Sequence, residues 1–260
     1  MTQDPETKEY MIVMQYANNG SLLSYLDQNI NELTWKMKLY RLKDIAIYLY
    51  DIHRTGLVHC DLHGGNIVVH DNTNTRETQS FICDLGLSQS VNLRQQNSTI
   101  RGVLPFIAPE VFHTCKYTQK SDVYSFGSIM YLIATGEPPF RDRQFDRDLV
   151  CNIMDGLRPS MPDSAPEEYK KLAERCCDAD PDKRPDAETL KDLIEEAHDD
   201  NSDDNIWNII SYNNVRPLSR LEKENKYSSK RLPTGDLPKP RNSDNFPPLP
   251  DFSLPSSEIG

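Results

Sequence analysis

The sequence has 260 residues, a mass of 29.9 kDa and a formal charge of −11 at pH 7. A nucleic-acid-binding protein needs a basic stripe to neutralise phosphates, so this acidic balance argues against a nucleic-acid partner. No uncharged apolar run reaches the roughly 18 residues of a membrane helix, and the N-terminus does not resemble a secretory signal. The six cysteines form no CxxC pair, which favours reduced thiols and a cytoplasmic location, with the nucleus as an alternative.

The composition divides the chain into three parts. Residues 1–9 are polar and unpatterned, and we predict a disordered leader there. Residues 10–197 show regular apolar periodicity and are predicted to form one folded domain. Residues 198–260 are first acidic and then rich in Pro, Ser, Asn and Lys. Such a tail buries too little apolar surface to offset the entropy lost on ordering, so it is predicted to be disordered.

The predicted elements begin with a short strand over Tyr10–Met14, followed by a short helix that Ser21 opens. Thr34 is a good N-cap for a longer helix, whose apolar side chains recur every 3.6 residues as far as Ile52. Two short β segments follow, and the later periodicity predicts helices over residues 121–135, 145–155, 167–177 and 186–197. The pattern therefore predicts a mainly α (α+β) body with short β hairpins.

Two loop segments, His59–Asn66 and Cys83–Gly86, contain the residues best suited to chemistry. Each lies beside a predicted strand, and each contains glycine, which allows a ligand to approach the backbone closely. Asn66 and Asp84 offer the oxygen ligands that Mg²⁺ prefers, and Asp61 is a candidate to accept the proton of a hydroxyl group. This division of roles is what phosphoryl transfer requires.

At these residues the chain resembles the C-terminal lobe of a eukaryotic protein kinase, over about residues 10–197. The first two motifs are His59-x-Asp61-x4-Asn66, similar to the catalytic loop, and Asp84-Leu85-Gly86, similar to the D-F-G motif with Leu in place of Phe. The later ones are Ala108-Pro109-Glu110, similar to A-P-E, and Ser121–Gly127, similar to the start of the central helix. Gly102–Ile107 resembles the tyrosine-kinase-like group, whose members mostly modify Ser or Thr.

The resemblance implies structural roles for four residues. His59 would pack beneath the site, and Asp122 would hold the catalytic loop in place. Arg184 would pair with Glu110. Asp61 would be the catalytic base, and Asn66 and Asp84 would bind Mg²⁺.

The resemblance also implies an ATP site. The strand at Tyr10 would lead into the hinge between two lobes, with Met14 as the gatekeeper residue. Backbone groups of Gln15 and Ala17 would contact the adenine, and Val68 would form part of the floor beneath it.

The sequence departs from the family pattern in three ways. Its first glycine is Gly20, so no G-x-G-x-x-G precedes the hinge, and we expect an N-lobe truncated to about one strand. His63 stands where Ser/Thr kinases usually have a lysine near the γ-phosphate. A free imidazole is only partly protonated at pH 7, so the constant positive charge is lost. Cys60 replaces an arginine that pairs with a phosphorylated activation segment in many relatives.

Three functional hypotheses follow. The favoured one is ATP- and Mg²⁺-dependent transfer to a Ser or Thr hydroxyl of a protein substrate, with Tyr as the less favoured acceptor. The second is a pseudokinase that serves as a binding scaffold. The third is a small-molecule phosphotransferase of the aminoglycoside or choline kinase type, since Asp61–Asn66 is similar to the motif of those enzymes. Pro247–Pro250 is either a polyproline ligand for a WW-type or SH3-type domain or an ordinary linker.

Overall fold

The computed structural model describes residues 2–11, 13–72, 77–91, 99–199, 226–232 and 237–243. The helices in these ranges are α1 (Leu22–Asn29), α2 (Trp35–Arg54), α3 (Pro109–Thr114), α4 (Gln119–Thr135), α5 (Arg147–Met154), α6 (Glu167–Cys176) and α7 (Ala187–Asp199). Short 3₁₀ turns lie at Ile30–Glu32, Leu85–Leu87, Leu104–Phe106 and Pro181–Lys183. None of the helices in the described part of the chain combines the length and apolar character needed to cross a bilayer.

The two central helices start and end where their capping residues allow. The Thr34 hydroxyl accepts the N–H of Met37 at 3.2 Å and so caps α2. Thr118 and Ser121 form a reciprocal capping box at the start of α4. Gly136, with a φ of +77°, ends α4 in the left-handed conformation that glycine adopts without strain.

The strands of the described ranges form four small antiparallel pairs. Their bounds are β1 (Thr2–Gln3), β2 (Tyr10–Met11), β3 (Leu57–Val58), β4 (Ile67–Asn72), β5 (Glu77–Ile82), β6 (Gln89–Ser90), β7 (Ile100–Gly102) and β8 (Lys230–Leu232). Strand β1 pairs with β2, β3 with β6, β4 with β5 and β7 with β8. Only β4 and β5 are six residues long, so the molecule is mainly helical, as predicted.

Helices α2 and α4 lie at the centre of the core. Nearly every side chain of α4 is buried, while α2 buries the apolar face that its sequence spacing predicts. Trp35 of α2 contacts Tyr169 of α6 edge to face, with ring centroids 5.2 Å apart. A second apolar cluster is formed around Ile100, Val111, Phe112 and Tyr124.

The structure corrects the expected leader and first strand. Residues 2–11 form a hairpin, in which Thr2 lies opposite Met11 and Gln3 lies opposite Tyr10. The hairpin forms because the Asp4 carboxylate accepts the N–H groups of Glu6 and Thr7, which closes the turn. The predicted strand ends at Met11 instead of Met14, and Ile12 lies outside the described residues.

The structure also corrects the expectation that the tail is disordered throughout. Residues 226–232 and 237–243 pack on the domain, and Tyr227 is only 4% exposed within the main core cluster. The Tyr227 ring contacts Phe145 edge to face at 5.4 Å between centroids. A composition average over the tail hides these few anchoring side chains. The Pro247–Pro250 segment, suggested as a polyproline ligand, lies outside the described residues.

A buried ion pair joins α3 to the loop before α7. Both nitrogens at the tip of Arg184 donate to the Glu110 carboxylate at 2.7 Å. The same guanidinium donates to the carbonyl oxygens of Asp178 and Lys120 and lies 5.2 Å from the centroid of the Tyr124 ring. Arg184 is therefore the centre of one polar network that connects three parts of the chain.

We expect Arg184→Met to lower the free energy of unfolding by about 3–5 kcal/mol, because it leaves the Glu110 carboxylate and two carbonyl groups without their donor. Arg54→Met is the matched control, since Arg54 pairs with Asp51 on the exposed surface of α2. Arg54→Met is expected to lower the free energy of unfolding by no more than about 1 kcal/mol. Urea unfolding of both variants measures the difference, and equal costs would contradict the prediction.

Lys38 of α2 is fully buried, and its ammonium group donates to the Ala134 carbonyl at 2.7 Å. Burial lowers the pKa of Lys38 from 10.5 to about 8. Between these two values the unfolded chain binds a proton at Lys38 that the folded chain does not, so the contribution of Lys38 to stability rises with pH in this window.

We expect Lys38→Met to remove that contribution, because methionine fills the same space without a titrating group. The slope of stability against pH should therefore be lower in Lys38→Met than in the parent chain. The measurement is the free energy of unfolding in urea across the window from pH 8 to 10.5. Lys36→Met, on the half-exposed side of the same helix, serves as the control and should keep the pH slope of the parent chain. An unchanged pH slope in Lys38→Met would contradict the assignment.

Candidate active site

The loop between β3 and β4 is fixed by Asp122, the buried carboxylate in the first turn of α4. One oxygen accepts the N–H of His59 at 2.7 Å, and the other accepts the N–H of Cys60 at 3.0 Å. Cys60 has a φ of +69°, a conformation uncommon for a residue with a side chain. Asp122 therefore holds the backbone just before Asp61 in a sharp turn.

His59 lies beneath the loop and is completely buried. Its Nδ1 accepts the N–H of Asp61 at 3.3 Å, and its Nε2 lies 3.2 Å from the Cys83 carbonyl oxygen. Because Nδ1 accepts, Nε2 carries the hydrogen and donates to that carbonyl. His59 thus ties the loop that contains Asp61 to the residue just before Asp84.

Asp61 has two carboxylate oxygens in different surroundings. Oδ2 accepts a hydrogen bond from Asn66 Nδ2 at 3.3 Å, and the same nitrogen donates to the Asp61 carbonyl at 2.9 Å. Oδ1 is buried and has no hydrogen-bond partner within the described ranges. A buried carboxylate oxygen without a donor is costly, so Oδ1 is an acceptor that the described residues leave unsatisfied.

The His63 ring lies inside the loop, next to Asp61. Its Nδ1 accepts the N–H of Gly65 at 3.0 Å, and its Nε2 lies 3.6 Å from Asp61 Oδ1. This arrangement leaves the hydrogen on Nε2, which faces the carboxylate. The structure therefore uses His63 to support the loop and Asp61. A contact between His63 and a phosphate stays a prediction.

Asn66 and Asp84 lie at the same end of the β4–β5 sheet. Asn66 precedes β4, Cys83 follows β5, and the Cys83 N–H donates to the Asn66 carbonyl at 2.9 Å. Asp84 is the next residue, with a φ of +59°, and its exposed carboxylate accepts the Gly86 N–H at 3.2 Å. The sheet therefore brings the two predicted metal ligands to one edge.

This donor set fits a magnesium ion. The Asn66 amide nitrogen faces Asp61, so the amide oxygen points away from that residue. Together with the exposed Asp84 carboxylate, it gives two hard oxygen donors on adjacent loops. Mg²⁺ typically takes one or two protein oxygens and completes its shell with water and phosphate.

The residues predicted to contact adenine are less enclosed. Met14 is 74% exposed, and Gln15 is exposed with its amide nitrogen 3.2 Å from Nε2 of His70. Ala17 begins a turn in which its carbonyl accepts the Gly20 N–H at 3.2 Å. Val68 is half-buried in β4 and is bridged to Ser21, so this turn lies beside the predicted adenine floor. Met14 and Gln15 have no packing of this kind.

Two contacts of the site were not predicted from the sequence. His53 at the end of α2 places Nε2 2.9 Å from Asp122 Oδ2, which adds a third contact to that carboxylate. The Tyr117 hydroxyl donates to the Arg101 carbonyl at 2.5 Å and accepts the Arg101 N–H at 3.2 Å. Neither contact has a sequence signal, because each joins residues in segments that share no motif or periodicity.

Comparison with known families identifies this arrangement. The family described as protein tyrosine and serine/threonine kinase matches residues 2–194. The chain belongs to this protein kinase family. Protein kinases as a family use ATP and Mg²⁺. The match includes the hairpin at residues 2–11, so the family resemblance begins earlier than the predicted boundary at Tyr10.

Several curated proteins are similar to the kinase-like part of the chain. The probable serine/threonine-protein kinase roco8 of Dictyostelium discoideum is 35% identical over 198 residues, which cover 73% of this chain and 11% of that protein. A protein of Acanthamoeba polyphaga mimivirus named as a serine/threonine-protein kinase/receptor is 33% identical, over 70% of this chain and 10% of its own length. Cyclic GMP-binding protein C of D. discoideum is 30% identical, over 70% of this chain and 7% of its own length. The chain thus spans about a tenth of the length of the first two proteins.

Cys60, which replaces the arginine of the family motif, faces inward. Its thiol lies 3.4 Å from the Val58 carbonyl oxygen and is only 6% exposed. Burial, and then the nearby Asp122 carboxylate, raise the pKa of Cys60 far above that of a free thiol. Because the thiolate is the reactive form, Cys60 is a poor candidate for a redox-sensitive residue.

We expect iodoacetamide to alkylate Cys115 and Cys151, which are half-exposed, at least about ten times faster than Cys60 in the folded chain at about pH 8. Mass spectrometry of the digested protein gives the rate at each cysteine. In concentrated urea the three rates should become similar. Equal rates in the folded state would show that the thiol of Cys60 is reactive.

Proposed function

We propose that this chain provides the catalytic-loop half of a protein kinase that transfers phosphate from ATP to a Ser or Thr hydroxyl. The observation that carries the proposal is the Asp61 carboxylate. One of its oxygens is fixed by Asn66 at 3.3 Å, and the other is buried without a hydrogen-bond donor among the described residues. A general base needs a fixed orientation and an acceptor oxygen that no other donor occupies.

In this proposal the surrounding residues position Asp61 and do not react. Asp122 and His59 hold the backbone on the N-terminal side of Asp61, and Asn66 holds it on the other side. The substrate hydroxyl would donate to Asp61 Oδ1. As its oxygen bonds to the terminal phosphorus of ATP and the bond from that phosphorus to ADP breaks, Asp61 would accept the proton. His63 Nε2 lies 3.6 Å from the same oxygen, beyond hydrogen-bond distance.

Asn66 and Asp84 are the residues that would hold Mg²⁺ on the bound nucleotide. When bound, the ion neutralises negative charge on the phosphate oxygens. Asn66 also contacts Asp61, so one side chain links the metal position to the base. The 260 residues contain no glycine before Gly20, so the activity is proposed for this site in combination with a phosphate-gripping Gly-rich loop and lysine.

A protein substrate is favoured over a small molecule. The segment from Gly102 to Glu110 is folded against the loop, and Ser125 and Ser128 of α4 donate to the carbonyls of Phe106 and Pro105 at 2.6 and 2.9 Å. This segment therefore forms a fixed surface beside Asp61, as recognition of a polypeptide requires. The curated relatives named as serine/threonine kinases support Ser or Thr as the acceptor.

We expect Asp61→Asn to lower the rate of phosphate transfer by about 10²–10⁴-fold, because the amide cannot accept the hydroxyl proton. The assay follows Mg²⁺-dependent ³²P transfer to a generic protein acceptor, in a form of the protein that includes a Gly-rich loop and the strand lysine. Asp51→Asn, the same substitution on the exposed side of α2, is the control and keeps full activity.

Equal label from the Asp61→Asn and parent forms would contradict the role of Asp61. Label on an added aminoglycoside, with none on protein, would favour the small-molecule reading. No label from an otherwise folded parent form that still binds a peptide would favour the scaffold reading.

A further inference from the structure

Strand β7 begins the surface that lies next to Asp61. A Cβ atom added to Gly102, the last residue of β7, would lie 3.4 Å from Asp61 Oδ1 and 3.0 Å from the Ile107 side chain. Gly102 therefore allows the backbone to pass within contact distance of the carboxylate. The residue that pairs with Gly102 therefore lies next to a residue that borders the candidate base.

The backbone groups on the two edges of β7 form hydrogen bonds with different partners. The Tyr117 hydroxyl contacts both the N–H and the carbonyl of Arg101. In an antiparallel pair, alternate residues direct their backbone groups to opposite sides. The backbone groups of Ile100 and Gly102 therefore face the other edge, where β8 pairs with them.

Residues 226–232, which we call the docked segment, occupy this second edge. Leu232 lies opposite Ile100 and Lys230 lies opposite Gly102. At the other end of the docked segment, Tyr227 is buried against Phe145, and the Lys226 ammonium lies 4.7 Å from the centroid of the same Phe145 ring. A cavity of about 310 Å³ lies between the docked segment and Gly102–Leu104.

Further contacts hold the chain after the docked segment. The Arg241 N–H donates to the Met154 carbonyl at 3.0 Å, and its side chain lies 3.3 Å from the Asp155 carboxylate. The Asn242 amide contacts Asp178 at 3.1 Å and accepts the Ala179 N–H at 2.8 Å. Residues 226–232 and 237–243 contain five basic and no acidic side chains, whereas the whole chain has a net charge of −11. Opposite charge therefore favours docking.

The pairing also contains an unfavourable contact. Arg101 and Arg231 lie directly opposite each other. The backbone groups of these two residues point away from the partner strand. In such pairs the side chains are closest, and like charges destabilise the sheet. A ladder of three residue pairs with this repulsion is suited to separate without unfolding the domain.

We propose that the docked segment is a built-in peptide occupant of the β7 edge, which must leave before an external extended polypeptide can bind beside Asp61. The pairing is strand addition to an open sheet edge, a common mode of peptide recognition. Covalent linkage gives the docked segment a high effective concentration, so an external peptide must compete with it. The competition with a substrate, but not the docking itself, rests on the proposed function.

Two adjacent proline substitutions separate this pairing from general effects on the tail. Proline has no N–H, so Lys230→Pro removes a hydrogen bond to β7, whereas Arg231→Pro removes none because the N–H of Arg231 faces away. Both variants lose one positive charge and gain the same residue. Hydrogen exchange of the Ile100 and Gly102 amides in the full chain is the measurement.

We expect these two amides to exchange at least tenfold faster in Lys230→Pro than in the parent chain, and no faster than the parent in Arg231→Pro. Circular dichroism and thermal unfolding check that both variants keep the domain folded. Equal exchange in the two variants, or no change in Lys230→Pro, overturns the proposal.

A kinetic measurement tests the competition. In a form that also carries a Gly-rich loop and the strand lysine, Lys230→Pro should lower the apparent KM for an acceptor peptide several-fold and leave kcat unchanged. Arg231→Pro, which removes the Arg101–Arg231 repulsion, should leave the apparent KM no lower than that of the parent. An unchanged apparent KM in Lys230→Pro would contradict the proposal that the docked segment competes with the acceptor peptide. If none of the forms transfers phosphate, the proposed function is contradicted. The difference in hydrogen exchange between the two proline variants then tests the docking by itself.

Discussion

The Asp122 carboxylate is the contact on which the rest of the candidate site depends. It accepts two consecutive backbone N–H groups, from His59 and Cys60, and also lies 2.9 Å from the ring of His53. Its position in the first turn of α4 places negative charge where the helix dipole favours it. Because the Cys60 turn has a positive φ, the loop needs such an external acceptor to keep its shape. The orientation of Asp61 is therefore set from a buried helix on another part of the chain.

The first turn of α4 also connects the site to the buried ion pair. Arg184 donates to the Lys120 carbonyl, and Lys120 lies two residues before Asp122. The Arg184 guanidinium lies over the ring of Tyr124, two residues after it. The pairing of Arg184 with Glu110 and the placement of the catalytic loop thus share one rigid element. This arrangement explains why residues far apart in sequence act as one framework around the candidate base.

The sequence predicted those parts of the fold whose signal is local. Helices α2 and α4 follow from apolar spacing, and α2 also follows from its cap at Thr34, while the cap of α4 at Thr118 was not predicted. The loop residues follow from motifs of fixed spacing. The hairpin at residues 2–11 was missed. The polar composition of this segment predicts disorder, but the single side chain of Asp4 closes the turn of the hairpin. The contacts of His53 with Asp122 and of Tyr117 with Arg101 were missed because they depend on the path of the chain between elements. No period or motif encodes contacts of that kind.

The docked segment is a second part of the fold that the sequence pattern does not predict, and it bears on function. Its composition is typical of a disordered tail, and only a few side chains and one row of backbone groups bind it to the domain. The strand that receives it is fixed on its other edge by Tyr117 and ends at a glycine beside Asp61 Oδ1. A strand held on one side only has an open edge, and an open edge needs a partner. Because this edge ends next to the candidate base, the tail of the chain and the chemistry of the site cannot be considered separately.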